Sequence, residues 1–283
     1  MLVIVSLYSY MRTFNSKNSR TKDFLGANKS LGQHFLKDES VCERIAEASR
    51  NIDSFQNVVE VGPGKGILTK QLYAIYPETL HLVEYDSRFI DLLKTEYPLL
   101  KERVFQDDIL RFDFIQIKGK IALIGNFPYN ISSQILFKAL EHKEQIPLII
   151  GMFQKEMAQR VSAIHGNKSY GVLSVLIQAF YKVEYLFDVS PEVFSPPPKV
   201  MSGVIKLELK NEASNIINHQ VFRQVVKMAF NQRRKTMRNS LKSMINEYKI
   251  PDMEIFDQRP EQLSVSELID LSNHFNTFIN PLS

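Results

Sequence analysis

The sequence predicts an α/β fold, a parallel sheet covered by helices on both faces, followed by a small all-helical domain. Three observations lead there. From about residue 57, short β-rich runs alternate with amphipathic helical segments. The β-rich runs are continuously apolar, the pattern of strands buried on both sides. Beyond a polar break at "KNEASN", near residues 210 to 215, no strand pattern recurs.

Taken in order, "NVVEVG", "TLHLVEYD", "ERVFQDD", "KIALIGN" and "PLIIGMF" read as strands. Between them, "ILTKQLYAIY", "SRFIDLLKTEY" and "SSQILFKALEHK" place apolar residues three and four apart, as helices do. "YGVLSVLIQAFYKV" reads as a buried helix and "GVIKLELK" as a terminal strand. Past residue 215 the chain reads as helix, with Pro251 and Pro260 dividing the segments. This gives a basic tail over residues 1–29, an α/β domain over 30–210 and a helical domain over 211–283.

The 283 residues, 44% hydrophobic and 23% charged, suit one sizeable core with room for a second unit. A single cysteine, Cys42, excludes an internal disulfide framework and a cysteine-rich zinc site, and points to a reducing, cytoplasmic setting. "MLVIVSLYSYM" is too short to span a bilayer, so no membrane association is expected. The net charge is only +4, yet the stretch from Phe222 to Asn246 holds seven basic residues and no acid. The remainder of the chain is therefore mildly acidic, and the basicity is a local anion-binding face. Within that stretch Phe222, Val226, Ala229, Phe230, Met237, Leu241 and Met244 form an apolar helical stripe. Arg223, Lys227, Arg234, Arg238 and Lys242 form a basic one suited to phosphates.

"VVEVGPGKGILT" joins the first strand to its helix through Gly62, Gly64 and Gly66. Glycines there permit a tight turn and close approach of a ligand to the positive end of a helix. The dinucleotide fingerprint would need a glycine where Ile67 stands, so the turn suits a nucleoside with an amino-acid tail better than a pyrophosphate. Glu84, ending the second strand, is placed to accept ribose hydroxyls, with Asp86 as a competitor. Asp108, ending the third, is placed to accept from an adenine amino group, with Asp107 as a competitor. The fourth strand ends in Asn126-Phe127-Pro128-Tyr129. There an amide oxygen and the Pro128 carbonyl can both accept from an exocyclic amine, and Tyr129 offers a stacking face to a base.

Asn-Phe-Pro-Tyr resembles the [Asn/Asp]-x-Pro-Tyr motif of amine methyltransferases that use S-adenosylmethionine. "SLGQHFLKD", "VVEVGPGKGILT", "GNFPYNISS", "FQKEMAQR", "KSYGVLSV", "FSPPPKV" and "FNQRRKTMRNSL" resemble, in order, segments of the small-subunit ribosomal RNA adenine dimethyltransferase family. The resemblance runs from about Ser30 to the C-terminus. It implies a Rossmann-like class I methyltransferase domain with a mostly parallel seven-stranded sheet, and a helical C-terminal domain that binds RNA. It implies the cofactor S-adenosyl-L-methionine, no metal, and dimethylation on N6 of two adjacent adenines in the 3′-terminal hairpin of small-subunit rRNA, by a monomer acting on a pre-ribosomal particle. The implied cofactor contacts are His34, Leu36, Gly62, Gly64, Glu84, Asp108 and Asn126. Asn126 and Tyr129 are implied around the target adenine.

Two positions depart from the family's usual residues. His34 stands where asparagine is frequent, which makes that contact sensitive to protonation. Phe127 stands where leucine is frequent and should fill the same apolar wall. Three other readings compete: a large-subunit rRNA methyltransferase of the macrolide-resistance type, a nicotinamide oxidoreductase, and an rRNA-binding assembly factor. "NQRRKTMRNSL" and "SPPPKV" favour the small-subunit family over the first, and Ile67 disfavours the second. "HGNKSYG" reads equally as a loop that closes over the base and as a connector, and "FSPPPKV" as an extended spacer.

Overall fold

The computed structural model describes residues 26–28, 32–210 and 215–280, so most of the expected tail and the break at 211–214 lie outside the described residues. The chain opens with β1 (Phe35–Leu36) and α1 (Glu39–Glu47). It then alternates β2 (Asn57–Val61), α2 (Ile67–Ile75), β3 (Leu80–Glu84), α3 (Ser87–Glu96) and β4 (Val104–Gln106). Next come β5 (Ile121–Asn126), α4 (Ser132–Glu141), β6 (Leu148–Gln154), α5 (Lys155–Ser162) and α6 (Val172–Gln178). The strands close with β7 (Tyr181–Val189), β8 (Phe194–Ser195) and β9 (Ser202–Leu209). Four helices follow: α7 (His219–Asn231), α8 (Met237–Ser240), α9 (Lys242–Glu247) and α10 (Val265–Ile279).

Seven strands form one sheet in the order β4-β3-β2-β5-β6-β9-β7, and β1 pairs with β8 outside it. Strands β2 to β6 pair with one another in parallel, while β9 runs antiparallel to both β6 and β7. Parallel pairing brings the carboxyl ends of β2, β3, β4 and β5 to a single edge. The strand order reverses at β2, where β3 and β5 flank it, which is where open sheets of this class leave a crevice.

Each central strand is buried on both faces. In β5, Ala122 and Ile124 pack with α1, α2 and α3, while Ile121 and Leu123 pack with α4 and α6. Each fully buried side chain of that size stabilises the fold by roughly 1.5–3 kcal/mol. The apolar cluster on the second face continues without a break into α7 and α10, and Tyr170 meets Phe230 edge-on at 5.8 Å. The helical C-terminal part thus shares its core with the sheet. Cys42 is fully buried, and burial pushes its thiol up to about 12, so it is a packed and unreactive group.

Two expectations need correction. The run "YGVLSVLIQAFYKV" is a helix only from Val172 to Gln178, and Tyr181 begins β7. Apolar residues fill nearly every position across the junction, so neither period stands out until β7 reaches its exposed residues at the sheet edge. The basic segment is not one helix. α7 stops at Asn231, and the polar run Asn231–Lys235 has nothing to bury, so the chain turns before α8. The seven apolar residues of the expected stripe are nonetheless all buried.

Candidate active site

The crevice at the carboxyl edge of the sheet has a volume of about 300 Å³. It is lined by every residue assigned from sequence to the cofactor or the amine: His34, Leu36, Gly62, Gly64, Glu84, Asp108, Asn126, Pro128 and Tyr129. The glycine turn forms its floor. Gly62 has φ +65°, and a Cβ there would meet no atom within 4 Å, so its backbone lies open to a ligand. Gly66, at φ +77°, begins α2 with no side-chain cap, leaving the first amides of that helix for an acceptor.

Glu84 is buried and held at both oxygens: Gly64 donates its amide to Oε2 at 2.9 Å and Asp86 donates to Oε1 at 2.8 Å. Burial raises its pKa, and those amides oppose the rise. Asp86 is otherwise engaged. It caps α3, accepts from Gln33 at 2.9 Å and pairs with Arg88 at 2.5 Å, and these bonds, Arg88 first, hold it at about 2. It is therefore spent on structure, which leaves Glu84 as the strand-end acceptor. Asp107 and Asp108 both line the crevice, and each accepts one backbone amide of the turn, from Asp108 at 2.7 Å and Leu110 at 2.9 Å.

Asn126 donates from Nδ2 to the His34 carbonyl at 3.0 Å. The Pro128 carbonyl accepts from the Ile131 amide at 3.2 Å, using one of its two lone pairs. Tyr129 shares a 2.6 Å hydrogen bond with the buried Ser202 hydroxyl, and burial raises its pKa, so it stays a neutral ring. The His34 ring stacks on it with centroids 5.6 Å apart and planes 27° apart. Phe127 is fully buried. Its ring occupies the space beside Gly125 and Gly151, where a Cβ on Gly151 would lie 2.5 Å from it.

A two-stranded clasp borders the crevice, with its first strand in the lining and its second strand outside it. Phe35 pairs with Ser195 and Leu36 with Phe194, and His34 Nδ1 bonds the Pro196 carbonyl at 2.8 Å. "FSPPPKV" is thus more than a spacer, because it holds residues 34–36 in place. "HGNKSYG" is pinned to the C-terminal part: Gly166 donates to Glu261 at 2.7 Å, and Arg233 donates to the Lys168 and Asn167 carbonyls. That is the geometry of a connector. Sequence reasoning missed Gln33, Phe35, Tyr85, Ile109 and Glu60 as crevice residues. Glu60 alone left a trace, as a charge inside an apolar strand two residues before the first glycine.

Arg223, Lys227, Arg234 and Lys242 are exposed. Arg238 differs, since it is paired with both Asp252 and Asp257. The expectation of five unopposed cations therefore reduces to four, because the residues that neutralise Arg238 lie beyond the basic segment.

A family model for ribosomal RNA adenine dimethylase matches residues 25–275. The chain belongs to the ribosomal RNA adenine dimethylase family. As a member of it, the chain is an S-adenosylmethionine-dependent methyltransferase. It is 50% identical over 248 residues to the ribosomal RNA small subunit methyltransferase A of Flavobacterium johnsoniae, covering 87% of this chain and 94% of that one. The protein of the same name from Cytophaga hutchinsonii is 48% identical over 248 residues, covering 87% and 96%. The crystal structure of a dimethyladenosine transferase from Plasmodium falciparum superposes with a TM-score of 0.73 at 26% identity, over 87% of this chain and 98% of that one. The 23S rRNA methyltransferase ErmE, at TM-score 0.61 and 24% identity over 83% of this chain and 99% of that one, shares the fold. The dimethylase crevice fits the cofactor on its own chemistry. It has an open glycine backbone, an acid pinned for hydroxyl donors, and a buried carboxylate oxygen, Glu60 Oε2, that lacks a partner.

Proposed function

We propose that this chain dimethylates N6 of two adjacent adenines in the 3′-terminal hairpin of small-subunit rRNA. It does so as a cytoplasmic monomer acting on a pre-ribosomal particle. The observation that carries the reading is the orientation of Asn126. With Nδ2 committed to the His34 carbonyl, Oδ1 is the end left to accept from an amine. The names of the relatives support the choice of substrate. A crevice lined by one chain's own residues, from Gly32 to Ile131, supports action as a monomer.

The cofactor supplies a methyl group activated by a sulfonium. Gly62, Gly64, Glu84 and Asp108 hold the nucleoside, with Glu84 accepting from the ribose and Asp108 from the adenine amino group; Leu36 closes the crevice and His34 holds its mouth. Asn126 Oδ1 and the remaining lone pair of the Pro128 carbonyl accept both N–H bonds of the target amine, which turns its lone pair out of conjugation and toward the methyl. Because the asparagine amide carries no charge, it can sit in the crevice without the cost of a buried carboxylate. Tyr129 stacks the adenine once it has left its own helix. After transfer the cationic nitrogen gives its proton to water. Arg223, Lys227, Arg234 and Lys242 meet the RNA phosphates.

Incubation of small-subunit particles with labelled S-adenosylmethionine, followed by nucleoside mass spectrometry and primer-extension mapping, tests this reading. N6,N6-dimethyladenosine at two adjacent positions near the 3′ end is expected. Label confined to large-subunit rRNA would overturn it in favour of the macrolide-resistance chemistry.

A further inference from the structure

A second cavity, of about 440 Å³, adjoins the crevice and has no part in the mechanism above. Tyr129 lines both and stands between them. The other walls include Ser133 on α4, Gln154 at the end of β6 and Met157 on α5. Gln154 pairs with Ser202 in the sheet, and the Ser202 hydroxyl shares its hydrogen bond with Tyr129, which keeps Gln154 close to that side chain. Ser132 is spent on the Tyr129 carbonyl at 3.1 Å. The side chains of Ser133 and Gln154 make no hydrogen bond among the described residues, so their polar atoms stand uncommitted beside Phe137, Met157 and Leu173. Apolar walls with a few uncommitted polar groups suit a flat, polar-edged ring. The chamber continues past Glu156, Arg160 and Val172 into a recess of about 290 Å³ that Lys168, Tyr170 and Arg233 also line. Tyr170 is 1% exposed and its hydroxyl has no hydrogen-bond partner. Arg160 is paired with Glu156 at 2.8 Å on an exposed helix face, a contact worth little and readily exchanged for a phosphate. Lys168 is exposed and has no acid partner among the described residues.

We propose that this chamber is a subsite for the nucleotide next to the target adenine, with its base beside Tyr129 and the linking phosphate in the basic recess. The inference rests on the reading of the substrate as adjacent adenines in rRNA and deepens it. Turning one base out of a helix strips its neighbour of a stacking partner, and a site that takes the neighbour recovers part of that loss. Gln154 carries a donor and an acceptor, and the Ser133 hydroxyl serves as either, so the walls fit the edge of any base. The subsite therefore holds its nucleotide by shape and not by sequence. It also suits a reaction on two adjacent residues. With both bases out of the helix, a shift of the strand by one nucleotide brings the second adenine to Asn126.

Small-subunit particles in which the 3′ segment of the rRNA is a ligated synthetic strand provide the test. One adenine is kept as the target, and its neighbour on the 5′ side or on the 3′ side is replaced by an abasic residue. One of the two replacements should raise the wild-type KM for the particle about 5- to 150-fold, the range for one lost base contact, and the other should change it little. Guanine at the sensitive position should behave as adenine does. Ser133→Trp fills the chamber, so its KM on the intact pair should rise to that of the abasic substrate, with no further rise when the base is removed. Its affinity for S-adenosylhomocysteine, read by calorimetry, should match the wild type, because Ser133 does not line the cofactor crevice. Met157→Trp fills the same space from α5 and decides the matter if Ser133→Trp loses cofactor binding. A wild-type KM indifferent to both replacements, or a filled chamber that keeps the abasic penalty, overturns the subsite and leaves the substrate assignment standing. A guanine penalty equal to the abasic one overturns holding by shape. No transfer to the intact adenine pair by the wild type overturns both the subsite and the substrate.

Discussion

Asn126 and His34 are 92 positions apart in sequence and meet at 3.0 Å, side-chain amide to backbone carbonyl. A carbonyl can only accept, so this contact fixes which end of the amide faces His34. It also ties the residue proposed to aim the amine to the segment that covers the cofactor. Asn126→Ala should therefore lower the single-turnover rate at least ~10²-fold, the scale for loss of a preorganised polar group. Cofactor affinity should fall several-fold at the same time, because the cover loses its anchor. Circular dichroism checks the fold. A near-wild-type rate in folded protein would return Asn126 to a structural role.

Tyr129 separates two contributions. Tyr129→Phe keeps the ring and loses only the Ser202 bond, with an expected cost of about 1 kcal/mol in stability and little change in capture of RNA. Tyr129→Ala loses the stacking face and should weaken adenine capture by roughly 1–3 kcal/mol, seen as a raised KM for the RNA. Equal kinetic losses in both variants would mean the hydroxyl, and not the ring, is what matters.

Gly151 is where Phe127 packs against the sheet. A Cβ there would lie 2.5 Å from the Phe127 ring. Gly151→Ala should destabilise the fold by about 1–3 kcal/mol through overpacking, and should shift Asn126 through its neighbour. Chemical denaturation measures the first effect and methyl transfer the second.

Asp86 and Arg88 give a prediction in acid. The folded-state pKa of Asp86 is held at about 2, below the ordinary 3.8 of an aspartate, with the Arg88 hydrogen bond as the main cause. A depressed acid contributes stability above the unfolded pKa and loses it as pH falls through the folded one. Arg88 is 40% exposed, so solvent screening discounts the pair, and Asp86→Asn should cost about 1–2 kcal/mol at pH 7. The gap between wild type and variant should close between pH 4 and pH 2 in denaturation curves.

On the basic face, Arg234 and Arg238 should behave differently. Arg234→Ala should reduce the slope of log affinity for rRNA against log salt by about 1, as expected for one lost phosphate contact. Arg238→Ala should leave the slope nearly unchanged and lower the melting temperature, since its partners are Asp252 and Asp257. Equal slope changes would show that those aspartates yield Arg238 to the RNA.

Local pattern was enough to place the strands from β2 to β6, because all but the short β4 are mainly apolar runs bounded by turn residues. It failed at β7, where helix and strand meet inside one apolar run, and at the end of α7, where a polar run ends the helix. The strand-end acids were visible as charges after apolar runs. Choosing Glu84 over Asp86 needed the structure, because only there does Arg88 occupy Asp86. Glu60 was passed over because sequence does not show which side of a strand faces a crevice. The partners of Arg238 were invisible for a different reason, since Asp252 and Asp257 lie 14 and 19 positions away across a turn.

The clasp between β1 and β8 joins the first described strand to one nearly 160 positions later. Its strands are made at opposite ends of the sheet's synthesis. As the chain leaves the ribosome, the glycine turn, Glu84 and Asn126 all emerge before Phe194, and at roughly 5–20 residues per second the wait lasts several seconds. During that interval the cover has nothing to pair with and Tyr129 has no Ser202 to bond. The segment that borders the crevice is therefore fastened almost last, when the sheet is nearly complete.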